Sequence, residues 1–338
     1  MPIIPTGWDQ ALTLKQRRTT DKDIGDKKME RIITEARENT SPQLEQKKTQ
    51  KQETTKNITI NAAVISHRGC VRSNNEDNFF IDGDLMPDND VDEGAAIRVN
   101  LSKEFHLLAV CDGMGGLQGG ERASSIAVHS MDILNQYFPR DSVERAINSY
   151  NNEACRLVYE DSIELGEEGK EGTTMAMLYV ADGVAHVANI GDSRVYLLRM
   201  GKLYQLSYDD APVFRMMKKG ELTREQMRKH PKGNRIEAFI GMPQDRKPSP
   251  YGHHLHVSLC AGDRFLLCSD GLSDLLMHDE IQRRLAETAD PMAAASQLIW
   301  RALEMSGKDN TTCIIADFSA AGMPKPTAVS VAGLPKER

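Results

Sequence analysis

An α+β sandwich is the fold class this sequence predicts, and two patterns predict it. Strand-like runs follow one another across 174–206 with only tight turns between them, at Asp182-Gly183 and Met200-Gly201. Strands joined so briefly pair antiparallel, because a parallel pair needs a long crossover. Segments of helical period come in two separate pairs, 121–138 with 141–158 and 279–288 with 291–305. One pair follows the third expected strand and the other precedes the last, so the helices need not share a face. Layers of sheet and helix are the arrangement that buries both.

In chain order, 58–65, 78–81 and 105–110 read as strands rich in Ile, Val and Phe, with 82–100 as a polar loop. The helix over 121–138 places Ile126, Met131, Ile133, Leu134 and Phe138 at helical spacing. Asp141-x-x-Glu144 then gives a capping-box-like start to a helix carrying Ala146, Ile147, Tyr150, Ala154, Leu157 and Val158. Strands follow at 174–180, 184–190, 194–198 and 203–206. Residues 209–250 are charged and punctuated by proline, with a short helix opened by Thr223-x-x-Gln226, and read as a flap-like insertion over the sheet edge. Strands at 255–260 and 264–268 are linked by Ala261-Gly262-Asp263. Asp290 and Pro291 open the last helix as N-cap and first helical residue. A final strand spans 312–318, before a loose tail at 319–338.

Charge divides unevenly. Residues 1–57 carry 12 Lys/Arg and 9 Asp/Glu, while the remainder nets −10. The first segment is polar and poor in aromatics, and reads as a disordered arm in which 26–37 has the spacing of a short helix. An acidic folded part argues against a nucleic-acid partner and suits one that holds cations. The six cysteines, at 70, 111, 155, 260, 268 and 313, form no Cys-x-x-Cys pair and mostly sit in apolar runs, which reads as reduced core thiols. No apolar run approaches the ~20 residues of a membrane helix, and 1–5 is too short for a secretory core. The expectation is a soluble, cytoplasmic protein without a membrane partner.

Four carboxylate motifs carry the chemistry: Glu76-Asp77, Asp112-Gly113, Ser269-Asp270-Gly271 and Asp309-Asn310. Each lies beside a strand-like run, and strand ends gather acids that are distant in sequence. Taken singly, each reads equally well as a polar turn; taken together they do not. Clustered carboxylates repel unless cations neutralise them, and hard divalent cations prefer oxygen ligands. Adjacent strand residues face opposite ways, so only one of Glu76 and Asp77 can point straight at a given site. Arg72 offers a bidentate fork for phosphate. The glycines at 115, 116, 119 and 120 are not followed by Gly-Lys-Ser/Thr, which makes a nucleotide cradle the weakest reading.

The motifs resemble, in order and spacing over about 58–318, those of the metal-dependent Ser/Thr protein phosphatases of the protein phosphatase 2C type. The supporting runs are Arg72-Ser73-Asn74-Asn75-Glu76-Asp77-Asn78, Val110-Cys111-Asp112-Gly113-Met114-Gly115-Gly116, Glu171-Gly172-Thr173-Thr174, Ile190-Gly191-Asp192-Ser193-Arg194-Val195-Tyr196, Cys268-Ser269-Asp270-Gly271-Leu272-Ser273-Asp274 and Asp309-Asn310-Thr311-Thr312. Met-Gly-Gly and the compact insertion resemble the bacterial branch. The resemblance implies a four-layer αββα sandwich, two stacked antiparallel sheets flanked by pairs of helices. It implies two Mn²⁺ or Mg²⁺ ions bridged by Asp112 and a water, with the Gly113 carbonyl on one ion and Asp270 and Asp309 on the other. Glu76 would hold a metal-bound water, Asp77 would support the water shell, and Arg72 would grip the substrate phosphate. The implied reaction is hydrolysis of phosphoserine and phosphothreonine in proteins by the bridging water, without a covalent intermediate. A signalling monomer opposing a Ser/Thr kinase is the corresponding expectation.

Three positions depart from the family pattern. Met114 stands where some members have a proton-donating His. His67 stands where bacterial relatives often have Asp. Only Glu167 or Glu168 is offered for a weak third ion. A pseudophosphatase acting as a phosphoprotein-binding scaffold is the alternative function, opposed by the presence of Asp112, Asp270 and Asp309. Asp192 reads as a structural carboxylate at a hairpin corner, and His253-His254-x-His256 as the start of a strand on a polar edge.

Overall fold

A computed structural model describes residues 57–86, 95–115, 119–131, 134, 142–166, 168–233, 235–248 and 252–327. The helix expected at 26–37, nearly all of the expected arm, Gly116, Glu167 and residues 328–338 lie outside the described residues. The chain forms β1 (Ile58–His67), β2 (Asp77–Ile81), β3 (Asp84–Leu85), β4 (Ala95–Lys103), β5 (Phe105–Met114), α1 (Gly119–His129) and α2 (Val143–Glu164). It continues with β6 (Gly172–Thr173), β7 (Met175–Ala181), β8 (Val184–Ile190), β9 (Arg194–Arg199) and β10 (Lys202–Gln205). Then come α3 (Pro212–Lys218), α4 (Arg224–Arg228), β11 (His253–Ser258), β12 (Arg264–Cys268), α5 (Asp270–Ser273), α6 (His278–Glu287), α7 (Pro291–Met305) and β13 (Thr311–Ser319).

Two antiparallel sheets result. One has the order β10-β9-β12-β13-β1-β4, the other β11-β8-β7-β5-β2-β3, with β6 added to the end of β5. The core between them is built by alternate residues: Ile58, Ile60, Ala62 and Val64 from β1 meet Phe79, Leu108, Val110, Leu178 and Val187 from the other sheet. The intervening residues face outward onto helices. Tyr196, Leu198, Leu266, Cys268, Cys313 and Ile315 pack under α6 and α7 with Leu285, Leu298 and Ile299. The other sheet carries α1 on β5 and β2, and α2 packs on α1. Because most strands are covered on both faces, they read as near-continuous apolar runs. The expected layered α+β sandwich is therefore what forms.

Asp182-Gly183 and Met200-Gly201 make the two hairpins with φ of 51° and 73°, and 54° and 75°, the positive pair a two-residue turn requires. Asp290 caps α7 by accepting from the Ala293 amide at 2.9 Å. Thr223 and Gln226 form a full capping box. Two expectations need correction. The loop expected over 82–100 contains β3 and most of β4, which pairs along β1 from Ile58↔Lys103 to Ser66↔Ala95. β4 is an edge strand, so its outward Ala96, Arg98 and Asn100 dilute the apolar signal of Ala95, Ile97 and Val99. The cap of α2 is Ser142, which accepts from the Arg145 amide; Asp141 lies outside the described residues.

The insertion carries its own small core of Ala211, Val213, Phe214, Met217 and Met227. It is fastened at strand ends and at the edge strand β10, where Arg224 Nη1 donates to Gln205 Oε1 at 3.3 Å. Thr173 and Ile240 exchange backbone hydrogen bonds of 2.9 and 2.8 Å, and the Asp210 amide donates to the Gly191 carbonyl at 2.9 Å. Arg228 on α4 donates to the Ser273 and Leu276 carbonyls at 2.7 and 2.6 Å.

Candidate metal centre

Asp77 opens β2 and stands directly opposite Asp112 near the end of β5. The β5 strand therefore runs on through Asp112-Gly113 rather than stopping before them, and cross-strand register forces two acids together. The backbone of Asp112 is fixed on every side. Its carbonyl accepts from the Thr173 hydroxyl and the Thr174 amide, both at 2.9 Å, and its amide donates to Thr174 Oγ1 at 3.0 Å. Thr174 Oγ1 is in turn 2.7 Å from Ser193 Oγ. The Gly-Thr-Thr and Gly-Asp-Ser-Arg motifs thus serve Asp112 through its main chain.

Asn310, 4% exposed, joins the chain's far end to this frame. Its Oδ1 accepts from the Glu76 amide at 2.9 Å, and its Nδ2 donates to the carbonyls of Arg68 and Asn74, both at 2.8 Å. Ser269 Oγ donates to Asp77 Oδ2 at 2.7 Å and accepts from the Thr312 amide at 3.0 Å. All four acid motifs are thereby tied into one region. The glycines around the start of α1 matter because there is no room for side chains. A Cβ on Gly113 would lie 2.0 Å from the Gly120 carbonyl oxygen, and one on Gly120 would lie 2.9 Å from the Glu76 carboxylate.

The acids disturb one another. Burial, opposed by the Ser269 and Thr312 hydrogen bonds and helped by Asp309 and Glu76, pushes Asp77 up to about 7. Asp112 rises by burial and then by Asp77, Asp270, Asp192 and Asp309. Asp270 rises by burial and then by Asp192, Asp274, Asp309 and Asp77. Glu76 also rises by burial, against the pull of Arg72. Asp77 Oδ1 is buried with no hydrogen-bond partner. Among the described residues, no three His, Cys, Asp or Glu side chains already close around one point. The arrangement is a crowd of acids without its counter-charge. An unpartnered carboxylate oxygen, mutual repulsion and an all-oxygen donor set fit hard divalent cations.

Arg72 sits at the rim, its guanidinium 2.9–3.0 Å from both Asp309 oxygens. The fork expected for phosphate is here paired with an expected metal ligand. Two further acids join the crowd. Asp192 holds a backbone hydrogen bond of its own at the hairpin corner, yet burial, then Asp209 and Asp274, push it up to about 7, and it raises Asp112 and Asp270. Asp274 lines the pit formed by Asp270, Lys308 and Asp309. Its signal was the i, i+4 spacing from Asp270, which places both on one side of a helical turn. Glu168 is exposed and accepts from the Tyr159 hydroxyl at 2.7 Å. His67 Nδ1 accepts from the Gly69 amide at 2.8 Å.

Residues 94–307 match the family described as protein phosphatase 2C. The chain is 32% identical over 269 residues to the serine/threonine protein phosphatase PstP of Mycobacterium tuberculosis, covering 77% of this chain but only 45% of that protein. It thus spans less than half the length of that relative. The serine/threonine phosphatase stp of Listeria monocytogenes is 27% identical over 268 residues, covering 76% of this chain and 96% of its own. The crystal structure of the catalytic domain of PstP in complex with two manganese ions superposes with a TM-score of 0.63 at 28% identity, covering 77% of this chain and 99% of that one. The fold, the motif order and these matches agree, and the chain belongs to the protein phosphatase 2C family.

Proposed function

We propose that the chain hydrolyses phosphoserine and phosphothreonine in proteins, with two divalent ions, Mn²⁺ or Mg²⁺, held in the acidic centre. The observation that carries this reading is the set of buried, mutually repelling carboxylates around Asp112, which the rim cation Arg72, paired with Asp309, does not offset. Asp112, the Gly113 carbonyl, Asp270 and Asp309 would hold the ions directly. Glu76 and Asp77 would order their water shell. When bound, the ions would neutralise the acids and would bring water held at the site near ionisation at neutral pH.

The chain's own groups do the rest. Arg72, exposed and already aligned on a carboxylate, is placed to exchange that partner for a phosphate dianion of similar geometry. Met114 has no proton to give, so the leaving serine or threonine oxygen draws its proton from solvent at the site. The buried thiols do not compete as nucleophiles. Burial raises Cys111 far above the ordinary thiol range, and raises Cys268 to about 12. Among the described residues all six cysteines are free, which suits a reducing, cytoplasmic setting and substrates made by a Ser/Thr kinase. No described helix is long and apolar enough to cross a membrane.

The test is release of phosphate from a phosphothreonine peptide after dialysis against EDTA, with and without added Mn²⁺. Turnover that appears only with metal, and is absent in Asp112→Asn, is the expected result. Full turnover in excess chelator would overturn the reading. Metal-independent peptide binding without turnover would favour a scaffold on the same fold.

A further inference from the structure

His186, His254 and His256 form a cluster that the proposed reaction does not use, and strand register creates it. β11 is the outermost strand of its sheet and pairs with β8 so that His256 stands opposite His186. His254, two residues earlier, projects to the same face. Leu255 and Val257 turn the other way, into the core between the sheets. The His186 and His254 rings stack at 2° with centroids 5.5 Å apart, and His186 Nδ1 lies 3.3 Å from His254 Nε2. The His256 ring is 5.8 Å from that of His186 and 6.3 Å from that of His254.

An open cavity of about 570 Å³ lies beside the cluster, between α2 and β11, and His254 lines it. Its α2 wall presents Glu144 and Asn151. Asn151 is 3% exposed, and its Oδ1 has no hydrogen-bond partner. Among the described lining residues there is no Lys or Arg. The cavity therefore offers a carboxylate, a spare carbonyl oxygen and imidazole to whatever enters, and no competing positive charge.

We propose that His186, His254 and His256, with Glu144 across the cavity, bind a borderline divalent transition-metal ion such as Zn²⁺ at a site separate from the acidic centre. A tetrahedral ion with metal–nitrogen bonds of about 2.0–2.1 Å sets its nitrogens about 3.3 Å apart; His186 and His254 stand at that separation in a ring–ring hydrogen bond, and one ring must turn out of the parallel arrangement to aim both lone pairs at the ion. Imidazole selects ions of this class, whereas an all-carboxylate site suits Mg²⁺ and Mn²⁺. Burial, then the neighbouring histidines, lowers His186 to about 4, so its ring is neutral and its lone pair available at neutral pH. As the rings stand, no three side chains close on one point. His256 completes the set by turning inward, a rotamer change open to an exposed side chain at the sheet edge. The ion staples the edge strand β11 to β8. On the same strand His253 Nε2 lies 2.7 Å from Asp210 Oδ1, and Asp210 Oδ2 accepts from the Gly191 amide at 2.9 Å, one residue before Asp192. The staple thus firms a strand that is hydrogen-bonded to the border of the acidic centre.

The experiment is calorimetric titration of Zn²⁺ into the full chain with the acidic centre saturated by excess Mn²⁺. One further binding event is expected. His254→Ala and His186→Ala should weaken it by at least the roughly 10–100-fold that losing even a supporting partner costs a metal site. His230→Ala, on the insertion, should leave it unchanged. Circular dichroism without zinc checks that the variants fold; should either fail, His256→Gln at the exposed edge gives the same readout. No further event in Mn²⁺-saturated protein would overturn the proposal. So would equal Zn²⁺ affinity in wild type and the folded cluster variants.

Discussion

Asp77 and Asp263 are equally buried, each 2% exposed, yet the chain treats them in opposite ways. Asp263 is gripped by Arg199, with Nε and Nη2 at 2.7 and 2.5 Å, and also accepts from the Cys260 amide at 2.8 Å. Asp209 is handled alike, by Nε and Nη2 of Arg194 on one oxygen and by Gln205 Nε2 on the other. Asp77 receives Ser269 Oγ on one oxygen, nothing on the other, and faces a second acid across the strand pair. Where only stability is at stake, a buried charge is given its counter-charge by the chain. Around Asp112 it is withheld, which costs stability and leaves room for an outside cation.

The largest effect should come from Asp112→Asn. Turnover in Mn²⁺ should fall more than the roughly 100-fold that a supporting partner costs, while the metal-free protein melts higher because a crowded charge has gone. If kinetics and calorimetry instead showed a less stable apo protein, the contrast with Asp263 would collapse. Asp263→Ala should do the reverse. Leaving Arg199 buried and unpaired should cost about 3–5 kcal/mol of stability, read by urea unfolding, with kcat per folded molecule unchanged. Arg72→Ala removes a charge-assisted fork worth about 1.5–3 kcal/mol, a loss of roughly 10–100-fold in kcat/KM. Calorimetric Mn²⁺ affinity should survive that change and should fall in Asp270→Asn; the opposite pattern would reverse the two roles.

A pH series sharpens the comparison further. The folded value of Asp77, about 7, lies above its ordinary one, and Asp112 and Asp270 shift the same way. Folding then takes up protons between those limits, so their stabilising contribution is complete below about pH 4. It is lost as pH rises through 7. Metal-free melting temperature should therefore fall from pH 4 to 7, and saturating Mn²⁺ should remove the fall by replacing the protons. A metal-free protein whose stability rose steadily over that window would contradict the burial of uncompensated acids. The smallest effect belongs to removal of residues 1–57, which hold none of the motif acids. Turnover on an aryl phosphate should not change measurably, and a clear drop in a folded truncation would show that the arm completes or gates the centre.

The sequence shows these features unequally. Strands covered on both faces, such as β7 with every residue but its last buried, announce themselves as apolar runs. The edge strand β4 does not, because half of it faces water. The acid motifs can be found because Asp-Gly recurs at strand ends, and their union depends on register: Asp77 opposite Asp112 is a fact of pairing, not of spacing. The same limit hid the role of Asn310, whose partners Arg68, Asn74 and Glu76 are more than two hundred residues away. Asp192 keeps the backbone hydrogen bond expected of a corner carboxylate, and its neighbours are a matter of fold. Only the fold shows that this corner abuts Asp270.

The last strand is also a central one. β13 lies between β12 and β1, with His67 opposite Thr311 and Thr59 opposite Ser319. During synthesis β1 can pair with β4 soon after it emerges, but everything from β5 to β12 must follow before its second partner, β13, exists. At roughly 5–20 residues per second that wait is on the order of tens of seconds. Until then the first sheet lacks its middle, its apolar faces stay uncovered, and Asp309 and Asn310 are not available to the acids they join. Such distant pairing makes for slow folding and long exposure to aggregation. It also means that a chain released before Thr311 has no assembled acidic centre, so metal binding by this protein reports that synthesis has passed β13.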